Sequence, residues 1–301
     1  MMPQNAAYKD YSDFLREHFP RKVQKISVNT GYGCPNRDGT IGTGGCIYCN
    51  NESFSPDYTR QISGITAQLE AGKQFFGKKY PEMRYLAYFQ TYTNTYQPIS
   101  TLLEAYREAL SVSDVMGIII ATRPDCVSNE LLAALAALKG EGHFVMIEYG
   151  VETSHDRTLE RINRHHTWAD AASAIERTAA HGIPVGVHLI LGLPGESVED
   201  MFATAQRISQ LPVSVAKLHQ LQVIRGTRLA LEYERGEAQI MEWTVDEYIA
   251  VCAQFLRHLR PDIAIERFVS QSPPHLLIFP QWGLKNYEFT AKLRQFLIRN
   301  S

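Results

Sequence analysis

Short apolar runs alternate with longer amphipathic runs along most of the chain. A short apolar run rich in β-branched residues reads as a strand, and an apolar stripe recurring every three to four positions reads as a helix. On that basis strands fall at residues 23–30, 83–90, 115–122, 144–151, 184–191 and 214–223, and helices at 64–77, 99–111, 129–139, 169–181 and 198–211. The fifth strand, Val185-Gly-Val-His-Leu-Ile-Leu191, is almost wholly apolar, as suits a strand covered on both faces. The alternation predicts an α/β fold with six βα repeats, either a partial (β/α)6 barrel of the TIM type or an open doubly wound sheet. Beyond Arg225 the pattern changes: 243–259 reads as a helix, 264–268 as a short strand and 287–298 as a closing helix, with no Pro-, Gly- or Ser-rich linker before them. The expected organisation is an N-terminal segment packed on the core (1–22), a barrel (23–225), and a C-terminal α/β extension (226–301) placed to cap a substrate side.

With 301 residues the chain can bury about three quarters of its unfolded surface, so folding needs neither disulfide nor metal. Its 45% hydrophobic and 21% charged residues are ordinary for a soluble globular protein. Residues 1–19 carry no apolar run, against a secretory signal, and the longest uncharged apolar stretch, near 183–195, is too short and too broken by Pro and Gly to span a bilayer. The expectation is a cytoplasmic protein with no membrane attachment. A net charge of −2 gives no global attraction to nucleic acid. Two local basic stretches, Arg16 to Lys25 and Arg157 to His166, could hold phosphate or form solvated faces. Five cysteines in a reducing compartment point to metal binding or redox chemistry rather than to a disulfide framework.

Three of those cysteines lie directly after the first strand, in Gly31-Tyr-Gly-Cys34-Pro-Asn-Arg-Asp-Gly-Thr-Ile-Gly-Thr-Gly-Gly-Cys46-Ile-Tyr-Cys49. Loops at the C-terminal ends of parallel strands are where such folds build sites. Three thiolates can each hold one iron of a [4Fe–4S] cluster, and a missing fourth ligand leaves one iron open, as a catalytic zinc site leaves a position open. The loop glycines let the backbone bend and bring N–H groups near the sulfides. On these residues alone a structural zinc site and a C-x-x-C redox pair stay open. Cys126 and Cys252 are isolated and read as small buried hydrophobes.

The run Cys34-Pro-Asn-Arg-Asp-Gly and the closing Gly-Gly-Cys46-x-Tyr-Cys49 resemble the loop of the YhcC-like (YtqA-like) family of the radical SAM superfamily, including the eleven residues between the first two cysteines. The resemblance extends from about Lys25 into the C-terminal region. It implies a radical SAM partial barrel in which Cys34, Cys46 and Cys49 ligate a [4Fe–4S] cluster. The open iron would bind S-adenosylmethionine (SAM), an external flavodoxin- or ferredoxin-like donor would supply an electron, and a 5′-deoxyadenosyl radical would take hydrogen from a substrate. Tyr48 is then expected near adenine.

The same resemblance assigns the strand ends. The second strand leads into Tyr88-Phe-Gln90-Thr-Tyr-Thr-Asn94, where the superfamily's Gly-Gly-Glu segment meets the SAM amino group; Gln90 and Asn94 are the candidates, an Asn-rich turn the alternative. The third leads into Thr122-Arg123-Pro-Asp125, similar to the elongator catalytic subunit, a radical SAM protein acting on tRNA; a structural Arg123–Asp125 ion pair is the alternative. On the fourth, alternation puts Glu148, Gly150 and Glu152 on one side. Buried carboxylates need partners, and SAM offers an amino group and ribose hydroxyls; Arg161 or Arg164 could serve instead. Arg164 suits a bidentate clamp on the SAM carboxylate. The turn Gly192-Leu-Pro-Gly195 resembles the superfamily turn that passes close to adenine. His188, Lys217 and His219 could face the cavity or be satisfied core residues.

For the substrate the elongator resemblance suggests tRNA wobble-uridine modification. No appended RNA-binding module is recognisable, and Arg267-Phe-Val-Ser-Gln-Ser-Pro-Pro274 and Lys285-Asn286 depart from the relatives' Gly-Asp and Asn-Lys. A radical enzyme for a small metabolite fits the acidic balance, and a zinc-stabilised interaction protein is a third reading.

Overall fold

The strands form at the positions that the apolar runs mark. The computed structural model describes residues 8–53, 55, 56, 58–77 and 82–300. The strands are β1 (Val23–Val28), β2 (Arg84–Phe89), β3 (Val115–Thr122), β4 (Phe144–Glu152), β5 (Val185–Leu191), β6 (Val215–Gln220), β7 (Val223–Ile224), β8 (Ala264–Arg267) and β9 (Leu277–Phe279). The helices are α1 (Tyr11–His18), α2 (Tyr58–Gln61), α3 (Ile65–Gly77), α4 (Ile99–Ser111), α5 (Asn129–Gly140), α6 (Asp156–Arg161), α7 (Trp168–Ala180), α8 (Val198–Ser209), α9 (Arg228–Glu234), α10 (Val245–His258) and α11 (Asn286–Arg299).

One parallel sheet runs in the order β1-β2-β3-β4-β5-β6-β8, without the reversal that marks a doubly wound sheet. The result is a curled half-barrel with its crossover helices outside. The sheet has seven strands where the apolar pattern predicts six, because the short strand of the extension pairs with β6, Val215 opposite Ala264 and Ala216 opposite Ile265. A small antiparallel pair joins β7, at the end of the expected barrel span, to β9 of the extension. Helix starts are set locally: Thr167 with Asp170 and Ser197 with Asp200 close reciprocal capping boxes on α7 and α8.

Alternation along β3 shows how the core divides. Ile118 and Ile120 pack in the layer between sheet and helices, whereas Ile119 and Ala121 face inward. Inside, the lower end of the barrel is plugged by α1, whose Phe14 packs with Leu86, Ile119 and Met146. That helix belongs to the expected N-terminal segment, of which residues 1–7 lie outside the described residues. Among the described residues no helix is long and apolar enough to cross a membrane.

Above the plug sits a buried ion-pair network. Lys25 of β1 lies 2.5 Å from Glu148 of β4 and 2.5 Å from Glu266 of β8. Lys217 of β6 lies 3.3 Å from each of the same carboxylates, and its ammonium meets the Tyr88 hydroxyl at 2.9 Å. The Lys25–Glu266 pair ties the two edges of the sheet, β1 and β8, which share no hydrogen-bond ladder. Burial alone would raise the Glu148 carboxyl; Lys217, Lys25 and His188 outweigh it and hold it well below the usual carboxylate range. A depressed carboxyl contributes stability above its unfolded pKa and loses it as pH falls. Glu148→Gln, which leaves two buried ammoniums short of a counter-charge, is therefore expected to cost about 3–5 kcal/mol in urea unfolding near neutral pH. As pH drops below the ordinary carboxylate value of 4.5, the wild type should lose stability and the gap between the two proteins should narrow.

Candidate active site

An open cavity of about 1210 Å³ lies at the C-terminal ends of the strands. Cys34, Cys46 and Cys49 all line it, from the loop that follows β1. Backbone bonds fold that loop, Arg37 N–H to Cys34 O at 2.8 Å and Cys49 N–H to Cys46 O at 3.0 Å. Two glycines are required by geometry. Gly45 has φ +76°, and a Cβ on Gly42 would lie 2.5 Å from Asn36 Oδ1 and 2.7 Å from the His165 ring.

Side chains from after α6 clamp the loop. Asn163 Nδ2 donates to Gly45 O at 2.8 Å and Thr43 O at 3.2 Å, while its own carbonyl accepts from Asn36 Nδ2 at 2.7 Å. Asn163 sits at φ +58°, a conformation that Asn tolerates better than most residues. The Asn36 amide also approaches Cys46 Sγ at 3.6 Å, and Arg164 Nη1 does so at 3.5 Å. Arg37 Nη2 donates to Cys49 O at 2.7 Å. Burial, with Cys46 alongside, pushes the Cys49 thiol up to about 11 against the pull of Arg37. Iron ligation would offset that penalty, since the thiolate is the ligand form.

Two observations test the fit of a cluster and SAM. Among the described residues no three His, Cys, Asp or Glu side chains converge on a point suited to a single ion. Three thiolates can each hold one iron of a cluster and need not meet at a single point, as the ligands of one zinc ion must. Moreover Asn51 Oδ1, Thr93 Oγ1 and Arg123 Nη1 belong to cavity residues and are buried without a hydrogen-bond partner. Buried polar groups are rarely left so, and a polar cofactor would satisfy them. The residues present fit both groups.

Five of the residues expected to contact SAM line this cavity with the cysteines: Tyr48, Gln90, Arg123, Glu152 and Arg164. Gln90 accepts from Ser27 Oγ at 3.0 Å. Arg123 forks onto Asp125 at 2.9 and 2.8 Å and also donates to Arg164 O, so the structural ion pair is present. Glu152, at φ +67°, lies 3.4 Å from Arg164, whose Nη2 donates to Gly150 O at 2.6 Å.

Four expected residues lie outside the lining. Glu148 shares a face with Glu152 but sits one layer lower, spent on Lys25, Lys217 and His188. Asn94 is wholly buried and straps β2 to β3, its amide donating to Phe89 O and Ala121 O at 2.9 Å each. Gly192, at φ +89°, faces Trp243, whose ring would lie 3.0 Å from an added Cβ. Gly195, at φ +82°, donates its N–H to Gln239 O at 3.1 Å. The glycine turn thus packs against the extension. Of the further candidates, His188 and His219 line the cavity and Lys217 does not. Sequence reasoning passed over Asn36, Arg37, Asn163 and Arg267. The first three sit in or beside the cysteine loop, where polar side chains able to reach sulfur or loop carbonyls are a usable signal. Arg267 heads the segment that departs from the relatives' Gly-Asp, but its place on the cavity was not read because the strand carrying it was not assigned to the sheet.

Residues 28–208 match the family described as the Radical SAM superfamily, and residues 213–299 match the Radical SAM C-terminal domain. The chain belongs to the radical SAM superfamily. It is 33% identical over 290 residues to the uncharacterized protein YtqA of Bacillus subtilis (strain 168), covering 96% of this chain and 89% of YtqA. It is 34% identical over 283 residues to protein YhcC of Escherichia coli (strain K12), covering 94% and 90%. A stretch of 121 residues, 39% of this chain and 22% of the relative, is 30% identical to the tRNA uridine(34) acetyltransferase of Methanocaldococcus jannaschii. The solved structure of the archaeal Methanocaldococcus infernus Elp3 shares the fold, with a TM-score of 0.67 over 92% of this chain and 63% of that one at 18% identity. Membership makes the protein a radical SAM enzyme and implies a [4Fe–4S] cluster, SAM and an electron donor.

Asn163→Ala removes both donated bonds to the cysteine loop and leaves a Cβ at a left-handed position. Iron release from the reconstituted protein to a chelator under anaerobic conditions should speed up about tenfold. Asn163→Gly, free of the backbone strain, should recover only part of the loss.

Proposed function

We propose that Cys34, Cys46 and Cys49 hold a [4Fe–4S] cluster and that the cavity beside them receives SAM and a substrate. The supporting observation is that three thiols from one glycine-bent loop line one cavity with Glu152 and Arg123 at strand ends and Arg164 just beyond α6. When bound, cluster and SAM supply a 5′-deoxyadenosyl radical for hydrogen abstraction, the electron coming from a flavodoxin- or ferredoxin-like donor. The chain binds, orients and excludes water. Arg164 stands between Cys46 and Glu152, its Nη1 3.5 Å from the sulfur and its Nη2 3.4 Å from the carboxylate. Glu152 is the candidate partner for the SAM amino group, Arg123 and Arg164 for its carboxylate, and Tyr48 for the adenine face. The reading includes a cytoplasmic location, where such thiols stay reduced.

For the substrate we propose tRNA, with the wobble uridine as target. The similarity to a tRNA uridine(34) acetyltransferase over 121 residues supports this. One observation favours a small metabolite as a second reading. The basic stretches are largely neutralised: Arg157 pairs with Asp200 at 2.6 Å, Arg161 with Glu232 at 2.5 Å, and Arg16 with Asp13, while Arg164 is buried.

Anaerobically reconstituted protein should take up iron and sulfide and release 5′-deoxyadenosine from SAM with dithionite, and Cys34→Ala, Cys46→Ala or Cys49→Ala should reduce that release to background. Failure of the wild type to bind a cluster and to release the nucleoside would sink the proposal. Mass spectrometry of modified nucleosides from a deletion strain should show a changed wobble uridine. An unchanged profile, with no salt-dependent tRNA binding, favours the metabolite.

A further inference from the structure

Four arginines line the cavity, and three are committed. Arg37 donates to the carbonyl of Cys49, Arg123 forks onto Asp125, and Arg164 lies against Glu152 and Gly150. Arg267, at the end of β8, differs. Among the described residues it has no carboxylate partner, and its hydrogen bonds go only to the His219 ring, 3.0 Å from Nη2 to Nε2. Its Nε is buried with no partner at all. The adjacent Glu266 offers no relief, being held by Lys25 and Lys217.

The charges below the cavity cancel: Lys25 and Lys217 against Glu148 and Glu266. Burial, with Arg267, His188 and Lys217 adding to it, holds the His219 imidazole well below its usual range, so the ring accepts from Arg267 without changing the balance. Arg267 therefore leaves a positive charge on the cavity wall whose only partner is a neutral imidazole, where Arg37 at least meets a backbone carbonyl, a costly arrangement unless something meets it. Beside it stands His188, whose ring centroid is 5.7 Å from that of His219. Its Nε2 lies 2.7 Å from Glu148 Oε2. A carboxylate only accepts, so Nε2 carries the proton and Nδ1 is left as an acceptor.

We propose that Arg267, flanked by His219 and His188, recognises an oxyanion of the substrate, a carboxylate or a phosphate, while His188 Nδ1 accepts from a neighbouring hydroxyl or N–H of the same molecule. A guanidinium fork suits either oxyanion. The inference rests on the reading of the cavity as the chamber for SAM and substrate. It adds a chemical class: the substrate enters with a negative group toward the end of β8.

The test is equilibrium titration of the SAM-loaded holoenzyme with inorganic phosphate and, separately, with acetate. One saturable site is expected for at least one anion; acetate alone assigns a carboxylate, phosphate alone a phosphate. Arg267→Gln should weaken that site about tenfold or more, with iron content and SAM affinity kept at wild-type values. Arg267→Lys, which keeps the charge and loses the fork, should fall between. On the wild type, phenylglyoxal labelling read by peptide mass spectrometry should show Arg267 protected by the anion and exposed arginines unprotected, which needs no variant to fold. Equal anion affinity in wild type and Arg267→Gln, or no saturable site for either anion, overturns the proposal. A parallel loss of SAM affinity in Arg267→Gln overturns it as well, since the guanidinium then serves SAM itself. If the protein binds neither cluster nor SAM, the wider reading fails. The same titration of the cluster-free protein then decides the subsite alone.

Discussion

A half-barrel of parallel strands has two unpaired edges, and here a buried ion pair joins them. Lys25 on β1 reaches Glu266 on β8 at 2.5 Å, and Glu148 and Lys217 complete a balanced quartet inside the curl. Each member taken alone would be prohibitive to bury; together they answer one another's desolvation. The quartet fixes how far the sheet curls and sets a floor across its interior. Below it, Phe14 and its neighbours seal the barrel with apolar surface. Above it the interior stays open, so the cavity lies only at the C-terminal ends of the strands, where the loop cysteines can reach it.

That floor also reaches into the site. Glu148 fixes which nitrogen of His188 carries the proton, and Glu266 is drawn off by the lysines, which leaves its neighbour Arg267 uncompensated. Elsewhere in the lining the cysteine loop is held by Asn163 and Arg37, through carbonyls, and by Asn36 and Arg164, through Cys46 sulfur. The lining thus combines thiols approached by cations with an arginine beside neutral imidazoles.

The sequence made much of this legible, for identifiable reasons. Apolar period locates six strands because each is long enough to show it, and the thiol spacing stands out because a fixed set of residue types carries the chemistry. Glu148 shows where the reading runs out. Alternation correctly puts it on the face of Glu152, but period reports the face and not the height along the barrel axis, and height separates a floor residue from a cavity residue. Asn94 was readable as a turn or a ligand, and no sequence pattern shows that its amide reaches the Phe89 and Ala121 carbonyls. Gly192 and Gly195 do adopt left-handed turns, yet what approaches Gly192 is the Trp243 ring from far along the chain. The strand ending in Arg267 has four residues, too few for a period, and its membership of the sheet follows from pairing with β6.

The central claim is that three cysteines leave one iron of a cluster open to SAM. Electron paramagnetic resonance of the dithionite-reduced, reconstituted protein, recorded with and without SAM, tests it most directly. A reduced [4Fe–4S] signal that changes shape when SAM is added is expected. A cluster signal indifferent to SAM, or no cluster signal at all, would contradict it.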